Sequence, residues 1–175
     1  MYLKNLFKRI AFKVMEYIYM MVPKYPGRIC VIDRTPYSGS NSGALYNYIV
    51  ENTSHKDIHI YNKTVGRGLS LRDRYKIASS SILISTHGNI RIGKNCTNIQ
   101  LWHGIPLKGM NYMDNSCTIK ESERNHKNFN RTSDYFISGS KFYNTLMSAC
   151  MGISSRKFVK TGFPRNDLLF NPIPR

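Results

Sequence analysis

Acidic side chains are scarce in this sequence. Ten Asp and Glu stand against 26 Lys and Arg, so the 175-residue chain carries a formal charge of +16 at pH 7. That imbalance argues for a polyanionic partner: a phosphate-rich substrate, an anionic membrane or a nucleic acid. Cysteine is sparse too. Cys30, Cys96, Cys117 and Cys150 lie far apart with no CxxC pair. This excludes the usual zinc spacing and a dense disulfide framework, and it suits a reducing compartment. No uncharged run is long enough to cross a bilayer, because Glu16 interrupts the best candidate. There is no internal repeat and no low-complexity segment. The turn at 39–43 is neither a GxGxxG nor a P-loop. No helix-turn-helix, RNP or zinc-finger signature is present, so nucleic acid is not the expected partner.

What is there is enough for one ordinary domain, with 41% hydrophobic residues. Residues 1–26 form a first unit. Leu3, Leu6, Phe7, Ile10, Val14, Tyr17, Ile18 and Met21 recur at helical spacing, and Lys4, Lys8, Arg9 and Lys13 take the other side with Glu16 as the only acid. Pro23 and Pro26 end this cationic amphipathic helix. It can lie in an anionic membrane interface, or pack on its own domain as an ordinary surface helix. Charges run through its apolar stretch and no small-residue cleavage site follows, so it does not read as a signal peptide.

Residues 27–175 alternate strand and helix patterns. Strands are expected at 28–33, 58–61, 81–85, 99–102, 135–138 and 158–160. Helices are expected near 44–51, at 70–78 with Leu71, Tyr75 and Ala78 on one face, at 118–130, and after Ser140 with Phe142, Leu146 and Cys150 on one side. Ser70 is a candidate N-cap, and Thr118 with Glu121 matches a capping box. This order predicts an α/β fold, a Rossmann-like parallel sheet with helices on both faces.

The stretch 98–109, NIQLWHGIPLKG, organises the rest. A short apolar strand breaks at His103-Gly104, and Pro106 disfavours helical geometry at Ile105. A histidine at the carboxyl end of a buried parallel strand stands where open α/β sheets bind ligands, with a side chain suited to taking a proton near neutrality. The plainer reading is a structural histidine packed under Trp102. His87 repeats the strand-end His-Gly pattern with less weight. His55, His59 and His126 sit in polar surroundings and need no function. The 39–43 turn can offer backbone N–H groups to a phosphate at a helix start, or serve only as a βα turn.

Three motifs then fall in one order: Asn41-Ser42-Gly43-Ala44-Leu45-Tyr46, Leu101-Trp102-His103-Gly104-Ile105-Pro106-Leu107-Lys108 and Gly162-Phe163-Pro164-Arg165-Asn166-Asp167. Together they resemble the CDP-glycerol glycerophosphotransferase family, the teichoic acid polymerases and primases, over about residues 28–169. The resemblance implies a GT-B architecture, of which this chain is the acceptor-side lobe. It implies transfer of glycerol phosphate from CDP-glycerol to a lipid-linked polyol-phosphate acceptor, with release of CMP. It makes His103 the base that deprotonates the acceptor hydroxyl. Ser40, Asn41, Ser42, Gly43, Gly104, Lys108, Arg165, Asn166 and Asp167 become candidate substrate-binding residues. No metal or cofactor is expected beyond the donor substrate, and the expected place is the cytoplasmic face of the membrane, as a peripheral protein. The basic stretch 62–76 (Lys63, Arg67, Arg72, Arg74, Lys76) can guide the acceptor or simply be a solvated face.

Two departures stand out. Ile105 replaces the family's usual Thr. The chain also stops soon after the third motif, where the family continues into a donor-nucleotide lobe. That predicts little or no activity from this chain alone, and a second lobe or subunit in trans. The residues leave two alternatives open: a capsule-type polyol- or sugar-phosphate transferase lobe, or a non-catalytic basic module that binds membranes or nucleic acid.

Overall fold

The computed structural model describes residues 2–33, 40–62, 69–87 and 90–170; the side chains of 2–9 and 12 fall outside that description. The first part of the turn expected at 37–43, the loop at 63–68 and Gly88 therefore lie outside the described residues, as do the side chains of Lys4, Lys8 and Arg9.

Strands β1 (Tyr25–Ile32), β2 (Ile58–Tyr61), β3 (Ser80–Ser85), β4 (Thr97–Gln100), β5 (Tyr135–Ser138) and β6 (Phe158–Lys160) form one sheet in the order β2-β1-β3-β4-β5-β6. Every pairing is parallel. Parallel strands need crossovers. Helices supply four of them: α2 (Asn41–Asn52), α3 (Leu71–Ala78), α4 (Ile119–Thr132) and α5 (Lys141–Met151), while β3 reaches β4 through residues 86–96, with no helix among those described; α1 (Tyr2–Met21) precedes the sheet. The expected α/β parallel sheet is what the chain forms. The strand order reverses direction between β1 and β3, which puts the topological switch point at their carboxyl ends.

Alternate side chains explain the two layers. Cys30, Ile32 and Leu83 point to one face, where Tyr19 of α1 and Ile77 and Ala78 of α3 cover them. Phe136 lies on that same face under Tyr143, Met147 and Cys150 of α5 and Phe129 of α4. Val31 and Ile84 point to the opposite face, against Leu45, Tyr46 and Ile49 of α2.

The caps are as the residues suggest. The Ser70 hydroxyl accepts from Asp73 N–H while the Asp73 carboxylate reaches back, and Thr118 and Glu121 do the same at α4. Two expectations are corrected. On α5 the inward stripe is Tyr143, Met147 and Cys150, while Phe142 is 66% exposed. The residues offer two apolar stripes one position apart, and the stripe facing Phe136 and Phe158 is the one that packs. On α3, Leu71 and Tyr75 face solvent and Ile77 with Ala78 faces the core. Glu16 lies on the side of α1 opposite the apolar stripe, as its spacing from Lys13 predicts. It turns inward and takes both terminal nitrogens of Arg131, at 2.8 and 3.2 Å. α1 is thus docked on the domain through Met15, Glu16 and Tyr19, with Val22 just after it.

Candidate functional site

The carboxyl edge of the sheet brings the three sequence motifs together at one side chain. Asn41, the first residue of α2, is fully buried. Its Nδ2 donates to the carbonyl of Trp102 at 3.0 Å, and its Oδ1 accepts the backbone N–H of Arg165 at 3.3 Å. Both ends of the amide are engaged within the chain, so Asn41 acts here as a brace. Ser40 caps α2 by accepting from Gly43 N–H at 3.0 Å, and its hydroxyl donates to the buried carboxylate of Asp33 just past β1. Ser42 is buried beside Ser40, 3.4 Å between hydroxyl oxygens.

β4 ends at Gln100, two residues before the strand end expected at Trp102. The cause is local. Trp102 adopts a left-handed backbone with φ 55°, which a strand cannot accommodate. The buried amide of Gln100 secures that turn: its Oε1 accepts Trp102 N–H at 2.9 Å and its Nε2 donates to His87 O at 2.8 Å. The Trp102 side chain drops into the core against Phe129, and the chain throws His103 outward.

His103 is exposed yet held. Its Nδ1 lies 3.1 Å from the carbonyl of Thr86. A carbonyl only accepts, so Nδ1 carries the hydrogen and the neutral ring keeps its lone pair at Nε2. One side of the ring system stacks on Trp102, centroids 4.4 Å apart, and His87 stacks at 4.7 Å. An imidazole with a fixed tautomer and orientation is what a general base needs. The structural reading, a histidine packed on Trp102, and the chemical reading thus describe the same placement.

His87 carries more than the residues alone suggested. It follows β3 as His103 follows β4, and these strands are neighbours. The repeated strand-end His-Gly was the available signal. Two adjacent parallel strands ending alike must bring those side chains to one edge.

Arg165 stands across the loop. It lies in the 3-10 turn Pro164–Leu169, and a Cβ added to Gly104 would sit 3.5 Å from its Nη2. Gly104 has φ 150°. Phe163 anchors this turn, packing edge-on to Tyr143 at 5.2 Å. Asn166, Asp167 and Lys108 are exposed, further out than Arg165. Gly109 is required by space, because a Cβ there would meet the Met113 carbonyl oxygen at 2.1 Å. The buried Asn111 side chain fastens the same segment by donating to Ser122 O and Cys150 O.

Several of the other basic and histidine residues have structural work, while Arg72 is exposed. Arg74 donates to Leu69 O and approaches Met15 of α1; Lys76 lies 3.4 Å from His59, which pairs with Asp57. His126 contacts Met151 O. Lys63 and Arg67 fall outside the described residues. Around the loop and near the carboxyl end, Ile105, Leu107, Tyr112, Met113, Leu169 and Phe170 expose apolar surface, Leu107 at 95%.

The model of the CDP-glycerol:poly(glycerophosphate) glycerophosphotransferase family matches residues 34–173. The teichoic acid poly(glycerol phosphate) polymerase of Bacillus spizizenii is 23% identical over 190 aligned positions, covering 93% of this chain and 48% of the polymerase. The polymerase of the same description from Staphylococcus epidermidis is 32% identical over 87 residues, covering 45% of this chain and 12% of its own length. Among solved structures, the wall teichoic acid polymerase TagF superposes with a TM-score of 0.71 at 20% identity, covering 97% of this chain and 47% of that one. A TagF variant soaked with CDPG gives 0.69 at 19% identity, over 97% and 49%. The chain spans about half the length of these structures and at most about half of the curated relatives. At such identity the superpositions speak for the fold.

Proposed function

This chain belongs to the CDP-glycerol:poly(glycerophosphate) glycerophosphotransferase family, and from that footing we propose that it is the acceptor-side lobe of such a transferase. The acceptor is a lipid-linked polyol phosphate and the donor is CDP-glycerol. His103 Nε2 takes the acceptor's hydroxyl proton. The freed oxygen forms a bond to the phosphorus that bears glycerol, the phosphoanhydride bond breaks, and CMP leaves. Arg165 offsets the charge that gathers on the phosphoryl oxygens. The nucleotide is held by a second lobe, in a continuation of this chain or in trans.

One observation supports this reading most: the three motifs meet at Asn41, the Thr86 carbonyl fixes the tautomer of His103, and Arg165 Nη2 lies by the next residue, Gly104. Peripheral membrane attachment is the second part of the proposal. Ile10, Val14, Tyr17, Ile18 and Met21 form an exposed stripe on α1, as an interfacial helix requires. Among the described residues no helix is long and apolar enough to cross a membrane.

The test is CMP release from CDP-glycerol, with a glycerol-phosphate-primed lipid acceptor, by this chain combined with a donor lobe. Activity that depends on both parts is expected. A combined enzyme that hydrolyses CDP-glycerol but extends no acceptor would refute the acceptor-side assignment.

A further inference from the structure

The outward sides of α1 and α4 face the same way. Tyr19 of α1 packs with Cys30 and Leu83, and Phe129 of α4 packs with Trp102 and near Phe136. Leu83 pairs in register with Asn98, and Gln100 with Phe136. Residues in register, or two apart along a strand, leave the sheet on one face. Both helices therefore cover the same face and turn their opposite sides to water.

On α1 the outward side is the apolar stripe already described. On α4 it is Lys120, Arg124, Lys127 and Arg131, spaced i, i+4, i+7 and i+11, and all four are exposed. That spacing lines them along one side of a helix. The Glu16–Arg131 ion pair joins the carboxyl end of this row to α1. Glu16 is thereby withdrawn from the outer surface. Lys120, Arg124 and Lys127 form no ion pair among the described residues. Of the two acids on α4, Glu121 is tied to Thr118 and Glu123 alone flanks the row from solvent.

We propose that α1 and α4 make one composite docking surface for an anionic phospholipid bilayer. The α1 stripe enters the acyl boundary while Lys120, Arg124 and Lys127 hold head-group phosphates. The proposal rests on the membrane reading above and adds to it the element that selects lipid charge. An apolar helix beside a cationic row matches both layers of a bilayer surface, and the match is of charge as well as polarity. A soluble polyanion would neutralise the row but leave the stripe in water.

Sedimentation of the full chain with vesicles tests this, using phosphatidylglycerol and phosphatidylcholine in equal parts or phosphatidylcholine alone. The triple variant Lys120→Gln, Arg124→Gln, Lys127→Gln keeps good helix formers on an exposed face, and its melting curve serves as the folding check. At low salt it is expected to bind the anionic vesicles about 10- to 100-fold more weakly than the parent, with binding to phosphatidylcholine unchanged. In ~1 M salt, where the screening length is about 3 Å, parent and variant should converge. Equal binding of parent and triple variant to anionic vesicles at low salt overturns the proposal. So does a triple variant that loses binding to soluble poly(glycerol phosphate) while keeping its binding to vesicles. The membrane reading itself fails separately, if the parent binds neither vesicle or if Val14→Asp with Ile18→Asp binds as the parent does.

Discussion

The imidazole of His87 lies against that of His103, centroids 4.7 Å apart and planes 12° from parallel. The contact joins the ends of β3 and β4, and the Thr86 carbonyl beside it fixes the His103 tautomer. We expect His103→Ala to lower kcat in the combined enzyme by about 10²–10⁴-fold, the usual contribution of a general base. His126→Ala, at the junction of α4 and α5, should cost stability rather than chemistry. For His87, a positioning role predicts that His87→Ala lowers kcat and leaves KM nearly unchanged, and that His87→Phe restores much of it by refilling the stack. Equal rates for the Ala and Phe variants would mean that stacking is not what matters at this position.

Asn41 satisfies two backbone groups that belong to different motifs. Asn41→Ala leaves both without that partner in a buried place. Its cost should be about 1–3 kcal/mol, read as a lower urea midpoint with an unchanged slope. Asn41→Asp should rescue little, because a carboxylate cannot donate to the Trp102 carbonyl.

Burial alone would push the Asp134 carboxyl up, but hydrogen bonds from Arg91 at 2.6 Å and Asn98 N–H at 2.8 Å outweigh it and hold the group below its ordinary value. A carboxylate depressed on folding adds stability above its unfolded pKa of about 3.9 and loses it as pH falls through the folded value. Asp134→Asn should therefore melt lower than the parent at neutral pH. The gap should narrow below about pH 4. A constant gap between neutral pH and pH 3 would count against the ion pair as its source.

Gly109→Ala places a methyl against the Met113 carbonyl, where backbone must move. The expected loss is about 1–3 kcal/mol, as for other overpacked sites. It should come with faster amide exchange at 110–114, since that loop is what has to shift.

Much of this architecture was legible from residue type. Ser70, Thr118 and Ser140 announce three helix starts because a cap needs a short oxygen side chain at one position. β1 and β3 were readable as apolar runs because a parallel sheet buries both faces, whereas β4 is mostly polar and its apolar signal came from Leu101 and Trp102 just beyond it. Phase was harder. Phe142 and Tyr143 offer α5 two stripes, and only the neighbouring sheet decides between them. Glu16 found a partner 115 residues away in Arg131, which no local pattern shows. The candidate site was legible at His103 and Arg165, whose motifs are distinctive. Asn41 was readable as part of a site but not as its brace, since that role depends on three loops meeting.

The strand order has a consequence for how the chain is made. β1 emerges first but sits between β2 and β3, so its two ladders close only after Ser85 has been synthesised. Among the described residues no two strands pair as a hairpin, and every contact in the sheet waits on a crossover, a topology that folds slowly. From β3 onward growth is one-directional: β4, β5 and β6 add in chain order to the same edge. Each nascent stage shows an unpaired ladder at that growing edge, besides the outer edge of β2. At the growing edge β6 has only three residues and ends in Lys160, a short and charged strand that discourages other chains from joining.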